Sequence, residues 1–220
     1  MLDILSPPFL ISILVALSVH EWAHAYAATK LGDPTPYNEG RLTLNPIAHL
    51  DPIGTLMFFL VRFGWGKPVN VNPRYFSHPI RDNAIVALAG PFSNLVLAAL
   101  SFLILVVWNP TSLSSVSSSM VTGGGSVSVF VAEVLIQMTF LNLSLMAFNL
   151  LPIAPLDGSK IIAPFIPSRY QWDYERFLQI GPMVLLGILI AERAFNFPIL
   201  VYWVNMIANA FFNIFSLFLN

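Results

Sequence analysis

The sequence predicts an all-α polytopic membrane protein, and three observations carry that expectation. Hydrophobic residues fill 56% of the 220 positions and charged residues only 10%, against about 25% charged in an ordinary soluble domain. Mean hydropathy is +0.74, with 18 Phe and 5 Trp. The few charges are spaced so as to leave uncharged stretches of the length that crosses a hydrocarbon core, about 20 apolar residues. A net charge of −1 and a pI near 6.4 speak against nucleic-acid binding, which needs a concentrated basic face. The absence of cysteine excludes disulfides, thiolate zinc sites and cysteine nucleophiles.

The first expected span covers about residues 4–29, apolar up to Val19 and Ala-rich from there to Thr29. It has Asp3 where a signal peptide would carry basic residues and shows no convincing cleavage site, so it is expected to remain as a span. No charge falls between Asn83 and Ala132; within that run 84–108 is the second span, and 109–128 is a Ser/Gly loop with Pro110 and three glycines from Gly123. The third span, about 129–151, includes Glu133 near its start and otherwise falls in the uncharged stretch that runs from there to Asp157. Two further candidates, 177–192 and 195–219, make five.

Residues 52–61 are apolar but too short to cross unaided, and are followed by Arg62 and Gly64. A re-entrant or interfacial segment is expected there, beside about five or six transmembrane helices in all. Irregular backbone at membrane depth is tolerated only against protein or a watery cavity. The basic residues favour re-entry. Lys30, Arg41, Arg62, Lys67, Arg74, Arg81, Lys160, Arg169 and Arg176 then share one side, and only Arg193 lies opposite. That side is expected to be cytoplasmic, with the N-terminus outside. With no internal repeat, residues 1–220 are expected to form one membrane domain in contact with the bilayer.

The chemistry lies in His20-Glu21-Trp22-Ala23-His24, at the end of the first span. Residues four apart share a helix face, so both imidazoles can reach one metal ion. Glu21 can then approach a metal-activated water from the side, the H-E-x-x-H arrangement of zinc peptidases. Two histidines and a glutamate at the end of an apolar span are costly unless they pair, coordinate or face a cavity.

Zinc needs a third protein ligand, with its fourth position left for water. The soluble-enzyme motif that continues with Gly and His is not met, since Ala27 and Lys30 stand at those places. Glu39 lies downstream in a loop-like stretch. Asp157 is the stronger candidate. Pro152 and Pro155 stop a regular helix just before it, so an unwound segment can swing the carboxylate toward the first span. A plain Asp-Gly turn leaving the membrane is the competing explanation.

Together these residues resemble the site-2 protease family, the intramembrane zinc metalloproteases of peptidase family M50. The matching elements are His20 to His24, the run Gly90-Pro91-Phe92-Ser93-Asn94, and the run from Asn149 through Asp157-Gly158. The stretches from Arg41 to Pro52 and from Gly64 to Val69 are similar to the compact branch of that family, which lacks PDZ and CBS domains. Ala154 and Ser159 depart from frequent family residues without removing a ligand. The resemblance implies that His20, His24 and Asp157 bind one Zn²⁺, that Glu21 is the catalytic base, and that the substrates are transmembrane segments of other proteins in a bacterial or archaeal plasma membrane.

It also implies substrate-binding or oxyanion roles for Asn94 and Asn149, for which interhelical hydrogen bonding is an equal alternative. Gly66 to Pro73 alternates apolar and polar residues at Val69 and Val71, which suits a short edge strand or hairpin able to dock an extended substrate. The competing reading is a plain Pro-punctuated loop. His49 and His78 have no helical partner at four-residue spacing and are expected in loops or on the surface. Asp51 and the Arg81-Asp82 pair are expected to be caps or interfacial ion pairs. Two other functions use the same residues: a metal-ion or proton transporter, against which stands the lack of matching halves, and a non-catalytic scaffold, against which stands the intact His20, Glu21, His24 and Asp157 set.

Overall fold

A computed structural model describes residues 5–61, 64–108, 127–196 and 198–217. The Ser/Gly stretch at 109–126 and Arg62 lie outside the described residues. Helix α1, Pro7–Lys30, begins at Ser6, whose hydroxyl accepts the Phe9 amide at 3.4 Å. Pro7 and Pro8 occupy its first turn, where a missing amide costs nothing. Lys30 in the last turn complements the helix dipole, and Gly32 then turns the chain at φ +105°, a conformation glycine adopts without strain.

Between the first two long helices the chain folds back on itself. Helix α2, Pro52–Val61, is capped by the Asp51 carboxylate, which accepts the Gly54 amide at 2.7 Å. A ten-residue helix is about 15 Å long, yet by Trp65 the backbone is again beside the helix start. A Cβ on Gly54 would stand 2.1 Å from the Trp65 carbonyl oxygen. Leu50 and Gly66 form an isolated antiparallel bridge, and the Lys67 amide donates to the His49 carbonyl at 2.9 Å. The two ends of 51–65 therefore meet.

Helix α3, Pro79–Trp108, begins five residues before the expected span, because hydropathy marks apolar depth and not the helix end. The Asp82 carboxylate closes its first turn, accepting the His78 amide at 2.9 Å and pairing with Arg81 at 2.9 Å. Helix α4, Val127–Asn149, stops ahead of Pro152 and Pro155, and short turns carry the chain to helix α5, Asp157–Ile162. Helix α6, Gln171–Phe195, ends at the left-handed Asn196 (φ 53°), and helix α7, Ile199–Leu217, follows.

Helices α1, α3 and α4 pack against one another, and α7 joins them through a cluster of Ala98, Leu143, Met146 and Ala208. Trp203 Nε1 on α7 donates to the Ala147 carbonyl at 2.8 Å. A second cluster of Leu151, Leu156, Leu185 and Leu200 ties the stretch before Asp157 to α6 and α7. Helices α1, α3, α4 and α6 are long and apolar enough to cross a membrane, and α7 is a shorter apolar helix.

The expected edge strand is not formed. Among the described residues there is no β-strand, only the Leu50–Gly66 bridge. Residues 67–72 form no regular element, and two of their amides are spent on side chains: Val69 N–H goes to Glu21 at 3.0 Å and Asn72 N–H to Asp33 at 2.7 Å. Carboxylates take the donors that a neighbouring strand would have used.

A buried two-histidine, one-carboxylate cluster

The H-E-x-x-H spacing places His20 and His24 on one face of α1, turned toward α3. Asp157 reaches them from the first turn of α5, where the proline-stopped segment delivers it. The two Nε2 atoms are 3.0 Å apart, and Asp157 Oδ2 lies 3.3 Å from that of His20 and 3.2 Å from that of His24. All three side chains are buried.

The far side of each imidazole is fixed. His24 Nδ1 faces the Val86 carbonyl at 2.8 Å, which can only accept, so this nitrogen carries the proton. His20 Nδ1 faces Asn94 Oδ1 at 2.6 Å. Asn94 in turn donates through Nδ2 to the Ala16 carbonyl at 3.2 Å and to Asn142 Oδ1 at 2.7 Å, so its oxygen is the atom left for His20. Both Nε2 atoms therefore turn lone pairs inward.

Asp157 Oδ2 is buried and accepts no hydrogen bond among the described residues. With both imidazoles neutral, three lone pairs converge with no proton between them, and a buried carboxylate without a positive partner costs on the order of several kcal/mol. The arrangement asks for a cation. Two imidazole nitrogens and one carboxylate oxygen, all mutually within 4.8 Å, are a donor set that suits zinc with a position left for water. Gly90 makes the close approach of α3 possible: a Cβ there would stand 2.3 Å from His24 Nε2 and 2.6 Å from His20 Cε1.

Glu21 is buried next to His20 and outside the three-residue cluster, its Oε2 accepting the Val69 amide at 3.0 Å. Glu39, the weaker candidate for third ligand, is exposed and accepts from Asn70 Nδ2 at 3.1 Å. Asn149 donates through Nδ2 to the Leu145 carbonyl at 3.0 Å, one turn back on its own helix. His78 is exposed as expected. His49 is not: it is fully buried in a one-turn 3₁₀ segment, Pro46–His49, and donates through Nε2 to the Thr43 carbonyl at 2.7 Å. Arg41, also buried, covers the same turn by donating to the Ala48 and Lys67 carbonyls. Spacing carried no sign of that packing. Asn142 is the site residue that motif reasoning missed, and its only sequence signal is an amide inside an apolar helix, a feature Gln137 and Asn149 of the same helix share.

The family model for peptidase family M50 matches residues 8–191. The YwhC protein of Bacillus subtilis strain 168, named as a zinc metalloprotease, is 41% identical over 186 residues, covering 84% of this chain and 81% of that protein. The Rip2 protein of Mycolicibacterium smegmatis, under the same kind of name, is 31% identical over 199 residues, covering 86% and 70%. A similarly named protein of Methanocaldococcus jannaschii, MJ0611, is 33% identical over 87 residues, covering 39% and 37%. No solved structure matches. The chain belongs to peptidase family M50 and is a zinc metallopeptidase.

Proposed function

We propose that the protein is an intramembrane protease, cutting peptide bonds within or beside transmembrane segments of other membrane proteins. The observation that carries this is the buried cluster of His20, His24 and Asp157 beside Glu21, built on helices long and apolar enough to cross a membrane. In this reading α1, α3, α4, α6 and α7 cross the bilayer as one domain, and 51–65 re-enters. The basic connections lie on the cytoplasmic side of a bacterial or archaeal plasma membrane.

His20, His24 and Asp157 would hold the zinc ion. Bound there, zinc supplies Lewis acidity toward the scissile carbonyl and lowers the pKa of water. Glu21 is the base. The Val69 amide holds its Oε2, leaving the other carboxylate oxygen to take a proton from the attacking water and pass it to the leaving amine. Asn94 serves His20, since both ends of its amide are engaged, and Asn149 secures the end of α4. A substrate helix must unwind before its amides can be cut.

Glu21→Gln keeps the shape and hydrogen-bonding capacity of the side chain but cannot accept a proton as a carboxylate does. In detergent-purified protein with a cleaved transmembrane reporter, it is expected to lower the rate by about 10²- to 10⁴-fold while zinc content stays at the wild-type level. Full proteolysis by Glu21→Gln would refute the assigned base. A chain that holds zinc and cuts no membrane segment, with or without the substitution, would instead favour transport or scaffolding.

A further inference from the structure

We infer that Asn142, in the C-terminal half of α4, is a positioning residue for His20 that acts through Asn94. The inference rests on the zinc-site reading above. Both asparagines are fully buried, where an amide is tolerated only with its hydrogen bonds made. Asn142 Nδ2 donates to the Met138 carbonyl at 2.7 Å, one turn back on its own helix. That carbonyl can only accept, so Asn142 must turn its oxygen toward α3.

The oxygen accepts one Nδ2 hydrogen of Asn94 at 2.7 Å, and the Ala16 carbonyl accepts the other at 3.2 Å. Asn94 Oδ1 is thereby aimed at His20 Nδ1, 2.6 Å away. Flipping either amide would set acceptor against acceptor. The polarity of two backbone carbonyls, at Met138 and Ala16, is thus transmitted through two amides to one imidazole. Nδ1 keeps its proton, and Nε2 keeps its lone pair for the metal.

Outer-shell partners of metal-bound histidines are typically worth about 10- to 100-fold in metal affinity. Asn94 touches His20 directly and belongs at the upper end of that range. Asn142 is one bond further out and shares its task with the Ala16 carbonyl, so its loss is expected near the lower end, about tenfold. An asparagine that merely glues two membrane helices together would influence stability without a specific effect on zinc.

The test is zinc affinity of the full chain in detergent, measured by competition with a chromophoric chelator, alongside unfolding of the metal-free protein. Asn142→Leu and Asn142→Ala are expected to bind zinc about tenfold more weakly, and the Ala variant carries the test if the Leu variant does not fold. Asn142→Asp is the rescue. In this apolar setting its carboxyl stays neutral, accepts from Asn94, donates to Met138, and should restore affinity close to wild type. Wild-type affinity in Asn142→Ala, or an Asp variant as weak as the Ala variant, would overturn the positioning role. A folded wild-type chain that binds no zinc would overturn the metal-site reading itself.

Discussion

Helices α1 and α6 are nearly equal in length, at 24 and 25 residues, and each is apolar enough to cross a membrane. Their surroundings are opposite. Helix α1 buries Ser12, Ser18, His20, Glu21 and His24 against its neighbours, whereas the residues α6 buries are Gly181 and Leu185. Polar groups on α1 are costly in a bilayer and persist because each has a partner. Helix α6 acts on the site at one remove. Its Tyr174 hydroxyl donates to the Ser159 carbonyl, two residues past Asp157, and Gly181 lies so close that a Cβ would come within 2.5 Å of Ala154 Cβ. One region supplies donors to the cluster, and the other holds the segment that delivers the third donor.

The largest effect separating these roles should come from Asp157→Ala. It removes a donor outright, and metal analysis of the purified protein is expected to show zinc almost entirely lost, as for His24→Ala. Zinc retained by Asp157→Ala alone would mean that α6 supports a segment with no part in binding the metal. Glycine-to-alanine changes come next. A methyl at position 90 meets His24 Nε2 at 2.3 Å, and overpacking of this kind costs about 1–3 kcal/mol. Gly90→Ala should lower both thermal stability and zinc affinity, while Gly181→Ala should lower stability with a smaller loss of zinc. Equal zinc loss in the two variants would erase the distinction between donor and support. The smallest effect is expected from Tyr174→Phe, which removes one hydrogen bond worth about 1 kcal/mol. Zinc affinity should fall by no more than about fivefold, as read by the same chelator competition.

Much of this arrangement was legible in the sequence because few residue types serve it. His20 and His24 at four-residue spacing announce a shared helix face, and Pro152 and Pro155 announce that the chain leaves its helix just before Asp157. The short apolar stretch at 52–61 forms a helix of ten residues, and the chain on its two sides meets at the Leu50–Gly66 bridge. What stayed hidden depends on partners distant in the chain. The alternation around Val69 and Val71 suited a strand, but Glu21 and Asp33 claim the amides of Val69 and Asn72. His49 looks like a loop histidine until Arg41 and Thr43 are seen to enclose its turn. Asn94 had two open roles, and only the geometry of Asn142 and Ala16 shows where its oxygen points.

The delivery of Asp157 by a late segment also has a consequence in time. Asp157 follows His24 by 133 positions, and ribosomes add about 5–20 residues per second, so the interval between them is roughly 7–27 s. Throughout that interval the nascent chain carries both imidazoles and Glu21 without the third partner. The cluster is complete only after α4 has been made and the turn beyond it has closed. On the proposed reading, a newly made copy cannot assemble its reactive centre while its own first helices enter the bilayer, and a truncated translation product ending before position 157 is expected to be inert.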